Sequence, residues 1–352
     1  MSASGRDSTR DLQERLARAS ANRQLLRIRG GGTKDFYGRP HEPEAAILDT
    51  SVHQGILDYE PAELVIRVRS GTLLSEVQAL LAQNNQMLAF EPPNYGSEST
   101  IGGVVAAGLS GPARPYRGGV RDHVLGVTMA SGDGRIMAFG GQVMKNVAGF
   151  DVSRLVAGSN GILGLILDIS LKVVPVPEKE VSMARSVSAS SALEHLMHLQ
   201  SEQSVLSASA WYQDRIYFRF SGAESAVRVA RSRAEGDDVD PDFWHKLAVQ
   251  QLEGMPSEKG LWKLSLAASN PEFVKESLLI DWGGAVRWFS EPPEVPAEKN
   301  FLLYRFRDDK EQGREGERFP PLQPAVKAIH SRLKHCFDPE RIVNRGRMYS
   351  WL

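Results

Sequence analysis

Cysteine is nearly absent: Cys336 is the sole one among 352 residues. A disulfide framework and a cysteine metal site are thereby excluded, and the chain cannot by itself hold an iron–sulfur cluster. Long apolar runs are missing as well. None reaches the roughly 18 residues of a membrane span, and the start, MSASGRDSTRDLQERLARA, lacks the apolar core of a signal peptide. A cytoplasmic chain is expected, peripheral at the inner membrane only through partner subunits. Charge of one sign is lacking too, the formal net charge being -1, so nothing points to nucleic acid. No G-x-G-x-x-G lies between a strand and a helix, and no G-x-x-x-x-G-K-[ST] occurs. With no H-E-x-x-H and no histidines at ligand spacing, no metal site is expected.

What the chain has instead is glycine in clusters. Arg27-Ile28-Arg29-Gly30-Gly31-Gly32-Thr33-Lys34 runs from an alternating strand into three glycines, a hydroxyl and an ammonium. Glycine lets successive backbone N–H groups curl around an anion with no Cβ in the way. Arg29, Thr33 and Lys34 add donors at the rim. Taken alone, three glycines favour an ordinary turn. Ser99-Thr100-Ile101-Gly102-Gly103, followed by Val104 to Gly111, forms a second cluster. A helix starting near Thr100 would aim free N–H groups at a phosphate, and small residues packing a helix on a sheet fit equally well. The third cluster, Ala157-Gly158-Ser159-Asn160-Gly161-Ile162-Leu163-Gly164, leads directly into the strand Leu165 to Val173. Three such loops, each beside a strand, suggest one long anionic ligand with a diphosphate at its middle.

At 352 residues with 41% hydrophobic and 24% charged, two domains are expected. Ser8 caps a helix whose Leu12, Leu16 and Ala17 share a face. Strands are expected at Leu26 to Arg29, Ala45 to Asp49, Leu64 to Arg69 and Met87 to Phe90. Thr72 caps a helix buried through Leu73, Val77, Leu80 and Leu81. Val124 to Ala130 and Ile136 to Phe139 flank an Asp-Gly turn, a hairpin signal. Lys145 to Asp151 reads as a fixed bend. Pro175-Val176-Pro177 ends the glycine-rich part. Beyond it helices alternate with an antiparallel sheet: strands at Ser207 to Tyr212, Arg215 to Phe220, Gly260 to Ala267, Ala285 to Phe289 and Phe301 to Arg305. Helices are expected at Ser191 to Gln200, Ala223 to Arg233, Asp242 to Glu253, Pro271 to Leu279 and Pro324 to His335. The lysines and arginines of the tail read as a solvated basic face.

RGGGTK, PPNYGSESTIGGVVAAGLSG, RGGVRDHVLGVTMASGDGRI and MKNVAGFDVSRLVAGSNGILGLILDISLKVVPVP, in this order, resemble the PCMH-type FAD-binding domain of the vanillyl-alcohol oxidase flavoproteins. With the short length and the terminal FDPERIVNRGRMY, the chain is most similar to the family of FAD-binding subunits of bacterial glycolate oxidases. The resemblance implies an α+β fold: a two-subdomain FAD-binding domain over 1–178, a reduced α+β cap over 179–320, and a C-terminal segment, 321–352, returning to the FAD domain. It implies that Arg29, Gly30, Gly31, Gly32, Thr33, Lys34, Ser99, Thr100, Ile101, Gly102, Gly103, Gly158, Gly161, Gly164 and Ile166 line FAD. Asn344 matches the family's N-P-G-R-M-like ending. Thr33 and Lys34 stand where covalently flavinylated relatives often carry histidine, so noncovalent FAD is expected.

The implied role is a FAD-carrying oxidoreductase subunit of a glycolate oxidase complex, oxidising glycolate to glyoxylate with a catalytic flavoprotein subunit and an iron–sulfur subunit. The alternatives are a stand-alone 2-hydroxyacid dehydrogenase and a structural subunit without active flavin. The H-x-H-x-G-D-G-N-like segment of the catalytic relatives has no counterpart in residues 180–320. His195, His198 and His245 read as packing or surface residues, and no residue is assigned as the catalytic base.

Overall fold

The computed structural model describes residues 5–141, 151–202, 205–257, 259–296, 301–309 and 316–352. Of the bend expected at Lys145 to Asp151, all but Asp151 lies outside these residues. The chain divides into two compact units, one of Met1–Leu109, Gly119–Pro175 and Glu315–Leu352, the other of Ser110–Gly118 and Val176–Arg314. Each contains both helices and sheets, an α+β architecture.

The first unit carries strands β1 (Leu26–Arg29), β2 (Ala46–Asp49), β3 (Ile56–Glu60), β4 (Val65–Arg69), β5 (Gln86–Met87), β6 (Val124–Ala130), β7 (Ile136–Gly140), β8 (Leu165–Lys172) and β9 (Val174–Pro175). β1 and β2 pair in parallel, whereas β3-β4-β8-β6-β7 form an antiparallel five-stranded sheet. β8 is its middle strand. Its near-continuous apolar run is explained by burial on both faces, as for any strand covered above and below. Ile166, Ile169 and Leu171 enter one core cluster, while Leu165 and Leu167 enter another with Leu12 and Leu16 of helix α1 (Thr9–Ala21). Each of those two leucines contributes about 1.5–3 kcal/mol by burial.

Several expectations need correcting. On α1 the buried third residue is Ala19, and Ala17 is exposed; Ser8 stands at the cap position but makes no side-chain cap bond, its hydroxyl donating instead to the Val52 carbonyl. Helix α2 (Leu74–Ala82) begins beyond Thr72, whose hydroxyl accepts from Gly55 N–H at 2.9 Å and lies 3.2 Å from the Gly55 carbonyl. Leu74, not Leu73, is therefore the first buried position of that helix. The strand expected at Met87 to Phe90 is confined to Gln86–Met87.

The second unit holds β10 (Lys179–Ser186), β11 (Leu206–Tyr212), β12 (Arg215–Gly222), β13 (Asp237–Asp238), β14 (Leu261–Ser265), β15 (Leu279–Asp281), β16 (Val286–Phe289) and β17 (Leu302–Arg307). They form one sheet in the order β13-β10-β12-β11-β15-β16-β14-β17. The helix expected at Pro271 to Leu279 is a series of turns: Phe273 adopts a positive φ of 63°, and Asn270 Oδ1 accepts from Glu272 N–H at 2.7 Å.

The tail of the first unit departs from a solvated basic face. In the helix Pro324–Phe337, Lys334 is fully buried. Its ammonium donates to the carbonyls of Ile162 at 2.8 Å and Val343 at 2.7 Å and pairs with buried Asp338 at 2.7 Å. Asp338 accepts in turn from Ile342 and Val343 N–H. Desolvation lowers the Lys334 pKa, with Asp338 opposing the shift. Lys334→Met would strand a buried carboxylate, and the prediction is a loss of about 3–5 kcal/mol of unfolding free energy. Urea unfolding of the full chain measures it, and an unchanged midpoint would show that the pair carries no net stability.

Candidate functional site

The site begins where β1 ends. Parallel pairing with β2 continues through Thr50, whose N–H donates to the Arg29 carbonyl at 2.8 Å, and then the chain turns away through the glycines. A Cβ on Gly31 would collide with the Glu98 carbonyl oxygen, and one on Gly30 with the Thr100 hydroxyl. Gly32 has φ +71°, a conformation that side chains disfavour. Among the described residues, the backbone N–H groups of Gly30, Gly31, Gly32, Thr33 and Lys34 meet no acceptor in the chain. Five successive donors left open beside a cleft are a nest for an anion.

Side chains complete the donor set. Thr33 Oγ1 lies 3.0 Å from Ser99 Oγ, and Lys34 Nζ lies 3.4 Å from the same hydroxyl. No carboxylate among the described residues comes within ion-pair distance of Lys34, and desolvation lowers its pKa to about 8. Asp35 also lines the cleft, its carboxylate paired with Arg27, 3.7 Å from Arg29 and 4.0 Å from His41.

These groups line one cleft open to solvent, with about 780 Å³ of empty space including its mouth. Of the expected residues, Arg29, Gly30, Gly31, Gly32, Thr33, Lys34, Thr100, Gly102, Gly103, Gly161, Gly164, Ile166 and Asn344 lie on its wall. Ser99, Ile101 and Gly158 do not. Ser99 stands behind Thr33 and Lys34, Ile101 is buried in the core, and Gly158 backs onto the chain at Gly108.

The second glycine cluster works differently from the expectation of free N–H groups. Helix α3 (Ile101–Ala107) is capped by Thr100, whose hydroxyl accepts from Gly103 N–H at 3.3 Å. Ile101 N–H donates to the Thr72 carbonyl at 2.9 Å and Gly102 N–H to the Ser70 carbonyl at 2.7 Å. The N–H groups of its first turn are thus spent inside the protein. What Gly102 provides is closeness, since a Cβ there would come within 2.7 Å of Ser70 Cβ. The third cluster is spent likewise: Gly158 N–H goes to Val105, Asn160 N–H to Ala106 and Gly161 N–H to Ser159 Oγ.

The tail closes the back of the cleft. Asn344 Oδ1 accepts from Ile28 N–H at 2.8 Å, and its Nδ2 donates to the Asn160 carbonyl at 2.8 Å. One amide thereby fixes β1 against the third loop. Arg347, indistinguishable by sequence from the other basic residues of the tail, also lines the cleft. Its guanidinium donates to the carbonyls of Arg39, Lys34 and Asp35, the last two at 3.2 Å. Its position three residues after Asn344 in the family-like ending is the signal that could have found it. Thr50, Ser70, Ala106, Ala107, Tyr37 and His41 also line the cleft, with no sequence signal of their own.

The donor set suits a diphosphate: open N–H groups, a desolvated ammonium, hydroxyls and glycine-walled access on the opposite side. The comparisons agree with this chemistry. The FAD binding domain family matches residues 6–140. The glycolate oxidase subunit GlcE of Escherichia coli (strain K12) is 39% identical, over 98% of this chain and 99% of its own length. The glycolate oxidase subunit GlcD of Bacillus subtilis (strain 168) is 33% identical over 50% of this chain and 37% of its own. Among solved structures, an alkyldihydroxyacetonephosphate synthase shares the fold, with TM-score 0.67 at 14% identity, covering 95% of this chain and 74% of that one.

Gly31→Ala is expected to displace the loop from Glu98 and lower FAD affinity at least about tenfold, the cost of one lost charge-assisted contact. Fluorescence titration of apoprotein measures this, and wild-type affinity would remove Gly31 from the binding surface. An anion beside Lys34 favours its protonated form, so FAD affinity is full below about pH 8 and falls as pH rises through it. Lys34→Met is expected to bind more weakly below about pH 8 and to lose that dependence; a parallel pH profile in the variant would assign the titration elsewhere.

Proposed function

We propose, from the premise that this chain belongs to the family of the glycolate oxidase subunit GlcE, that it is the FAD-carrying subunit of a complex oxidising glycolate to glyoxylate. The observation that carries the reading is the run of open N–H groups from Gly30 to Lys34 beneath a desolvated ammonium. Bound FAD supplies the electron acceptor that oxidation of a 2-hydroxy acid requires. The chain's residues supply its hold: Gly30 to Lys34 donate to the diphosphate, Gly102 and Gly103 allow close approach, and Asn344 and Arg347 keep the loop in place.

The partners in this reading are a GlcD-like catalytic flavoprotein subunit and an iron–sulfur subunit. With Cys336 as its one cysteine, this chain does not itself supply the ligands of a cluster. Among the described residues, no helix is long and apolar enough to cross a membrane, and no group of histidine, cysteine and carboxylate side chains is arranged to hold a metal.

FAD is held noncovalently in this reading. His41 does line the cleft, but its ring lies 4.0 Å from Asp35. Acid precipitation is therefore expected to release all the flavin into the supernatant; yellow pelleted protein would show a covalent bond.

Anaerobic reduction followed at the flavin absorbance tests the role. Glycolate is expected to leave the flavin of the isolated chain oxidised and to bleach it once the partner subunits are added. Bleaching of the isolated chain by glycolate or D-lactate would make it a stand-alone dehydrogenase, and a colourless chain that still assembles would make it a structural subunit.

A further inference from the structure

One residue of the cleft wall comes from just beyond β4, outside all three glycine clusters. Ser70 follows Arg69, the last residue of that strand, and borders the cleft beside Thr50, Gly102 and Ile166. Its backbone is engaged on both sides. The N–H donates to the Leu167 carbonyl at 2.7 Å, and the carbonyl accepts from Gly102 N–H at 2.7 Å. A Cβ on Gly102 would come within 2.7 Å of Ser70 Cβ, so helix α3 lies close against this residue. These contacts fix Ser70 in place.

Only its hydroxyl is unused. Ser70 is 2% exposed, and its Oγ is closed off from solvent with no hydrogen-bond partner among the described residues. The threonine hydroxyls along the same wall are each engaged within the chain: Thr50 Oγ1 donates to the Arg29 carbonyl at 3.3 Å, and Thr100 Oγ1 accepts from Gly103 N–H at 3.3 Å. A buried hydroxyl left unpaired destabilises the chain that carries it, and alanine would fill nearly the same space without that cost. Serine here works against the stability of the chain by itself, and a partner from outside the chain would offset it. Oγ moves among three staggered positions by rotation about one bond, so no backbone movement is needed to re-aim it.

We propose that Ser70 is a binding residue for FAD, its hydroxyl pairing with a polar atom of the adenosine half. FAD extends to both sides of its diphosphate, one side carrying the redox ring and the other the adenosine. The redox ring has to stay within reach of an electron donor and an acceptor, whereas a hydroxyl closed off from solvent suits the half that does no chemistry. A serine hydroxyl both donates and accepts, so a ring nitrogen or a ribose hydroxyl satisfies it equally. The inference rests on the reading that this cleft holds FAD, and it concerns binding, which is read apart from flavin reduction.

Ser70→Ala in the full chain tests this on readouts that a merely structural hydroxyl would not move together. Fluorescence titration of the flavin-free variant is expected to show FAD held about three- to tenfold more weakly, the worth of one neutral hydrogen bond. ADP, measured by its displacement of FAD, should weaken by the same factor, while FMN should bind as it does to the wild type. Urea unfolding of the flavin-free variant should give a midpoint equal to or above that of the wild type, because the substitution removes an unpaired buried group. Wild-type FAD affinity in Ser70→Ala overturns the contact and leaves the proposed function standing. A lowered midpoint overturns it too, since the hydroxyl would then have its partner within the chain. Weaker FMN with unchanged ADP overturns the assignment to the adenosine half. Failure of the wild-type chain to hold FAD sinks the proposed function first, and this inference with it.

Discussion

A backbone donor without an acceptor is costly unless water or a ligand meets it, and among the described residues five in a row, Gly30 to Lys34, have no acceptor in the chain and line an open cleft. The first unit is built to keep them open. The pairing of β1 with β2 passes through the Arg29 carbonyl, which leaves the N–H groups from Gly30 onward beyond the ladder. The loop's own carbonyls are taken up just beyond the nest, Asp35 N–H donating to Gly32 at 3.1 Å and Tyr37 N–H to Lys34 at 3.0 Å. Arg347 also takes the carbonyls of Lys34 and Asp35, and Glu98 presses against Gly31. Acceptors that could close the nest internally are thus already engaged.

The tail is what makes this arrangement rigid. Asn344 satisfies Ile28 N–H, which the parallel ladder leaves on its outer edge, and its other end reaches Asn160 in the third loop. The turn that delivers Asn344 is held by the buried Lys334–Asp338 pair, whose ammonium binds the Ile162 carbonyl in the same loop. Residues more than 300 positions after β1 therefore set its geometry, and cleft shape and tail stability are coupled through these contacts.

Much of this was legible from residue order. The three glycine clusters do converge with the cleft, and the strands β6 and β8 fall where alternation placed them. Their division of labour was not legible, because a Thr-Ile-Gly-Gly sequence reads the same whether its N–H groups face a ligand or the carbonyls of Ser70 and Thr72. That distinction depends on which strand lies behind the loop, a tertiary fact. The Pro271 to Leu279 helix failed for a local reason: Asn270 offers the backbone an Asx turn, and Phe273 takes a left-handed conformation that ends any helix there. Arg347 and Lys334 were hidden by composition, since a run of basic residues gives no sign of which are buried.

Three desolvated lysines show what separates structure from function here. All three have lowered pKa values, so burial alone does not distinguish them. Lys334 meets a carboxylate and two carbonyls, its donors are consumed, and its task is to hold the tail. Lys34 meets only a hydroxyl at 3.4 Å, in a wall of open N–H groups, and its charge is directed at whatever enters the cleft. Lys263 meets aromatic faces and a second cation, with a carboxylate near but out of reach. A buried ammonium is tolerated only if something compensates it. For Lys334 the chain provides that compensation itself, and for Lys263 two indole faces and Asp281 stand beside it, whereas for Lys34 the acceptor is left to whatever enters the cleft.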